Sequence, residues 1–113
     1  MRFLQLIKKP PGELDFFNVS FMHHNIESTT LIIYNNGKVR KCQVSVTAFD
    51  FSGNEYTITY DELLARTSVS LCLKEVQTQQ GAVFSFPVTR VIVKYAKSQV
   101  VFLPDGNHFD RIQ

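Results

Sequence analysis

STTLIIYNNGKVRKCQVSVTAFDFSGNEYTI, residues Ser28 to Ile58, decides the fold of this chain. It holds three runs rich in β-branched and aromatic residues, broken by Asn35-Asn36-Gly37 and by Asp50-Phe51-Ser52-Gly53-Asn54. Short turn sequences between such runs predict a β-meander, in which each strand pairs with the next. Within the third run Cys42, Val44, Val46 and Ala48 alternate with Gln43, Ser45 and Thr47. A period of two puts the first set on a buried face and the second in water.

Outward from this stretch the same pattern recurs. Strands are predicted near Phe3–Ile7, Leu14–Met22, Thr29–Tyr34, Val39–Phe49, Glu55–Thr59, Ser68–Val76, Ala82–Phe86, Arg90–Tyr95 and Gln99–Leu103. Turn signals at nearly regular spacing give the signature of an all-β sandwich or barrel. Tyr60 to Arg66 alone has helical character, with Asp61 as an N-cap, and is expected to make one turn at most. Repeated long helices, which parallel crossovers require, are missing from the pattern.

The 113 residues make one domain: an N-terminal strand with a Pro10-Pro11-Gly12 turn over 1–12, a body, and a C-terminal tail over 104–113. Hydrophobic residues are 44% and charged residues 19%, the balance of a globular protein. Ten Phe and four Tyr with no Trp suit a pleated, half-buried surface. A net charge of +2, with the basic residues scattered, argues against a nucleic-acid partner. No apolar run reaches the ~20 residues of a membrane span. The Met1–Ile7 run is followed by Lys8-Lys9-Pro10 and lacks the form of a signal peptide, which favours the cytoplasm unless a leader or anchor lies elsewhere.

Around Cys72 the apolar set is Val69, Leu71 and Leu73, so Cys72 should face outward while Cys42 faces the core. Thiols on opposite faces do not meet the geometry of a bridge, and two free thiols are expected. No metal site is expected. His23-His24 lacks ligands at a metal-binding spacing and reads as a polar hairpin turn, and His108 stands alone in the tail. Asp50 to Asn54 lacks the oxygens of a calcium loop and reads as turn chemistry, with Gly53 at positive φ. No phosphate loop or nucleophile elbow is present, so no cofactor and no catalytic residues are assigned and the chain is read as a non-enzyme. Asn18-Val19-Ser20 matches a glycosylation acceptor inside a predicted strand.

Phe49 and Phe51 resist this account. They continue the outward register of Gln43, Ser45 and Thr47, so the polar face ends in two rings. Either a bulge re-aims them to cap the core, or they form an exposed aromatic patch with Tyr34 for a protein partner. Tyr34, Phe49 and Phe51 are therefore the candidate binding residues.

Leu14-Asp15-Phe16-Phe17-Asn18-Val19-Ser20-Phe21, then Ile32-Ile33-Tyr34-Asn35-Asn36-Gly37-Lys38, then Val44 to Asn54 resemble small bacterial immunoglobulin-like domains of the FxLYD-like group. Those domains carry a strand ending in N-N-x-G-K and a long alternating strand ending in aromatic-D-x-x-G-N. Here Ala48 and Phe49 stand where the pattern has Leu and Tyr, and Thr89 to Tyr95 suits a closing strand. The resemblance implies an immunoglobulin-like antiparallel β-sandwich of about seven to nine strands, acting as an accessory or adhesion-type module without catalytic residues. The partner expected is a protein, or a second copy of the chain joined through an edge strand such as Phe3–Ile7. The rival readings are an oligonucleotide-binding (OB-like) barrel that stacks single-stranded nucleic acid on its aromatics, and a phage or viral structural component.

Overall fold

The computed structural model describes residues 17–25, 28–106 and 108–112, with backbone alone at 22–25 and 28. The strand expected at Phe3–Ile7 and the Pro10-Pro11-Gly12 turn lie outside those residues. The chain is all-β. Its strands are β1 (Phe17–Asn25), β2 (Ser28–Asn35), β3 (Lys41–Phe49), β4 (Glu55–Leu63), β5 (Thr67–Cys72), β6 (Arg90–Tyr95), β7 (Ser98–Asp105) and β8 (His108–Arg111). All pairings are antiparallel, in one sheet of order β4-β3-β6-β7-β8-β1-β2-β5.

Alternation builds the core. Val44, Val46 and Ala48 of β3, Val91 and Val93 of β6, and Val100 and Phe102 of β7 are buried together with Phe17, Val19 and Phe21 of β1 and Leu31 and Ile33 of β2. Each Val, Leu, Ile or Phe side chain among them contributes roughly 1.5–3 kcal/mol on burial. Phe17 meets Tyr95 of β6 edge-on, with ring centroids 6.4 Å apart, so β1 and β6 face each other across this core. The sheet thus curls upon itself. Among the described residues β8 joins β1 through one residue pair, Ser20 and His108. On the other side the outermost strands β4 and β5 come together. The result is one sheet, barrel-like and nearly closed, in which the single-pair β8–β1 link separates a five-stranded portion (β4-β3-β6-β7-β8) from a three-stranded one (β1-β2-β5).

The meander expected from residues 28–58 is half right. Asp50 to Asn54 is a hairpin turn, and β3 pairs with β4 in register from Phe49 and Glu55. The Asn35-Asn36-Gly37 segment is a crossover instead, because β2 pairs with β1 and β5 while β3 pairs with β4 and β6. Asn35 explains the difference. Its side chain is fully buried, its Oδ1 accepts the Gly37 N–H at 3.0 Å, and its Nδ2 donates to the carbonyls of Val39 (3.1 Å) and Leu63 (3.0 Å). The amide ties the ends of β2 and β4 together and sends the chain to the other portion of the sheet.

Four further expectations are corrected. Tyr60 to Leu63 continue β4 instead of turning helical, since Lys41, Cys42 and Val44 of β3 give their backbone ladder partners. Ala82–Phe86 makes no strand beyond an isolated bridge from Gln77 to Val83. Its apolar residues serve as plugs: Phe84 is buried in the core and its ring packs against that of Phe86 at 5.3 Å. His23 and His24 lie within β1, which continues to Asn25 and pairs with Thr29 and Ser28 of β2. Cys42 is exposed where burial was expected. Gln43 has a left-handed φ of 57°, which breaks the alternation, so that Lys41 and Val44 point inward and Cys42 is turned out. Cys72 is exposed too, and both thiols are free.

Candidate functional site

The β3–β4 hairpin is built on Asp50. Its carboxylate is buried, with 1% of the residue exposed, and accepts three backbone N–H groups: Oδ1 from Ser52 (3.0 Å) and Asn54 (2.7 Å), Oδ2 from Ser85 (3.0 Å). Gly53 supplies the φ of 88° that closes the turn. The Phe51 N–H donates to the Ser85 carbonyl at 2.8 Å, and the Thr89 N–H to the Phe49 carbonyl at 2.9 Å. A charged acceptor with three donors is a strong local clamp. It fixes the hairpin to the 84–89 segment and leaves the side chain of Phe51 pointing away from the body.

Phe51 is 70% exposed and Phe49 half-buried, and neither belongs to the core cluster. No bulge re-aims them. The ladder runs regularly through Phe49, which pairs with Glu55 on one side and Arg90 on the other. The guanidinium carbon of Arg90 lies 4.1 Å from the Phe49 ring centroid, a cation–π contact that covers this ring and leaves Phe51 open. Val83, 66% exposed, stands at the same end, since Gln79 donates to the Glu55 carbonyl and Ser85 holds Phe51.

Tyr34 is not part of this group. It is half-buried on β2, next to Asn35, which bonds to Leu63 at the far end of β4 from Glu55. A nine-residue strand separates those ends by about 26 Å. The three candidate residues thus divide into an aromatic corner (Phe49, Phe51) and a separate ring. Arg90 and Val83 were not visible as members of the corner, because strand phase does not reveal that β6 pairs with β3 or where the 73–89 segment runs.

Near Tyr34 a cleft of about 380 Å³ is lined by Asn36, Gly37, Lys38, Val39, Lys41 and Arg66. Lys41 is buried, with Nζ 5.6 Å from the Tyr95 ring centroid. Arg40 beside it pairs with Glu62.

The segment 104–113, expected to be a tail, carries the end of β7 and all of β8. His108 is not alone there: its Nε2 lies 3.0 Å from Asp110 Oδ1 and 3.8 Å from Asp105 Oδ2. Among the described residues these three are the group able to converge on a metal ion. Sequence contained the cue in Asp105-Gly106-Asn107-His108, a two-residue hairpin signal that brings positions 105 and 108 opposite each other.

The chain matches no protein-family model, no curated protein and no solved structure. No helix among the described residues is long and apolar enough to cross a membrane.

Proposed function

We propose that this protein is a non-enzymatic protein-interaction module, accessory or adhesion-like, that docks a partner protein at the Phe51 corner. One observation carries this reading: a large apolar ring, 70% exposed, sits on a turn held rigid by three charge-assisted bonds to Asp50. A rigid exposed aromatic, with a second exposed apolar side chain, Val83, at the same end of the molecule, is the form of an interface anchor. The all-antiparallel sheet of eight strands is compatible with an immunoglobulin-like relationship, and such domains commonly act through surface contacts. The OB-like and phage-component readings draw no comparable support. Phe17, Phe21, Phe84, Phe102 and Phe109 are buried, and the outward rings Tyr34 and Phe51 stand at opposite ends. Association through an edge strand would use β4 or β5, the outermost strands.

Photocrosslinking from position 51 in cells that express the protein tests the reading, with Lys97 in the β6–β7 turn as control. A discrete product from 51 that is absent from 97 is expected. Identical products from both positions, or none, overturn it. A product of twice the chain mass identifies the partner as a second copy.

A further inference from the structure

Asp105 and His108 are the closing pair of the β7–β8 hairpin, and Asp110 is two residues further along β8. Phe102 and Phe109 point into the core, so the alternation sends Asp105, His108 and Asp110 to the outer face together. All three are exposed, and one ligand atom from each lies within 4.8 Å of the others. What separates this group from an ordinary acidic turn is the imidazole between the two carboxylates.

The His108–Asp110 contact is a hydrogen bond whose 3.0 Å length also fits two ligands of one metal ion. Ligands at about 2.1 Å from a metal, in tetrahedral or octahedral arrangement, stand about 3.0–3.4 Å apart. His108 Nε2 and Asp110 Oδ1 are at 3.0 Å. Asp105 Oδ2 lies 3.8 Å from Nε2, too far for a hydrogen bond, on the same outer face. The hairpin supplies the rigidity: Leu103 pairs with Asp110, Pro104 with Phe109, and Phe109 is anchored against Phe21 at 4.7 Å.

We propose that Asp105, His108 and Asp110 form a surface site for a divalent transition metal of the zinc type. Imidazole Nε2 and one oxygen of each carboxylate are the three protein ligands, and water completes the shell. The nitrogen ligand selects this class over magnesium and calcium, which prefer oxygen alone. Two carboxylates cancel the charge of the ion. The ion takes the place of the hydrogen bond that Nε2 makes to Asp110. The site lies on a different element from the Phe51 corner and does not depend on the interaction reading.

The test is calorimetric titration of the full chain with Zn²⁺. A Cys42→Ser/Cys72→Ser background is used, because exposed free thiols are ligands for the same metal and would compete. Binding of one equivalent is expected, weakened about tenfold or more by His108→Ala and by Asp110→Asn. The His108 ring resonance should shift on addition of Zn²⁺, which separates this site from His23 and His24. Absence of binding, equal binding by the His108→Ala protein, or a preference for Ca²⁺ over Zn²⁺ overturns the proposal. The substitutions are on exposed side chains, and a circular dichroism spectrum matching that of the parent shows that the fold is retained.

Discussion

The side-chain amide of Asn35 donates to the carbonyl of Leu63 at 3.0 Å, joining β2 to β4, strands that belong to opposite portions of the sheet. Asn35→Ala removes donors from two carbonyls and the acceptor of the Gly37 N–H, and costs about 2–3 kcal/mol. Asn35→Asp is at least as damaging, since it turns a carboxylate oxygen toward the carbonyls of Val39 and Leu63. Urea unfolding of the three proteins checks this; an Asp variant of parental stability would contradict the assignment of the amide.

Asp50→Ala leaves the N–H groups of Ser52, Asn54 and Ser85 without their acceptor and costs about 3 kcal/mol. Asp50→Asn keeps one acceptor oxygen but sets an amide N–H against one of these donors, and is also destabilising. Faster hydrogen exchange at Ser52, Asn54 and Ser85 than at Val46 is the local readout.

Phe49 and Phe51 differ in what they do for stability. Phe51→Ser changes it by less than about 0.5 kcal/mol, as expected of a side chain in water. Phe49→Ser loses the Arg90 contact and costs about 1 kcal/mol. Equal losses in the two variants would mean that Phe51 is packed against the body.

Gln43 holds its left-handed φ of 57° against the steric preference of an L-residue. Gln43→Gly relieves that strain and stabilises the protein by up to about 1 kcal/mol, after the greater chain entropy of glycine is offset. Gln43→Val is destabilising. In the parent, Cys42 and Cys72 should both react with a thiol reagent without unfolding; protection of Cys42 would refute the kink.

Tyr60 titrates above its ordinary value of 10.0, chiefly because burial disfavours the phenolate and secondarily because of Tyr56 nearby. Above about pH 10 the unfolded chain releases this proton while the native state retains it, so the native state binds more protons and stability falls as pH rises. Below that value the contribution is flat. The tyrosinate absorbance should show one of the four tyrosines titrating late, and Tyr60→Phe should remove that component and soften the alkaline loss of stability.

Much of the fold was legible in side-chain alternation. Val44, Val46 and Ala48, and Leu71 and Leu73, were placed on the buried face by period alone, and all are buried. Alternation failed where a single backbone angle resets the phase, as at Gln43, and where one buried side chain diverts the chain, as at Asn35. Asn35-Asn36-Gly37 has hairpin chemistry, but a neighbour 28 positions away decides its use. The aromatic corner was half legible: the register of Phe49 and Phe51 showed an anomaly, while Arg90 and Val83 join them through non-local pairing. His108 gained its neighbours only when the supposed tail became a hairpin.

The route of the chain through the two portions has a consequence during synthesis. Strands β1 and β2 enter the smaller portion, β3 and β4 the larger, β5 returns to the smaller, and β6 to β8 complete the larger. A ribosome-bound chain that ends before Arg90 therefore presents β3 with one edge unpaired and the apolar face of both portions uncovered. Such a chain is a target for chaperones and a template for aggregation until β6 emerges and slots beside β3.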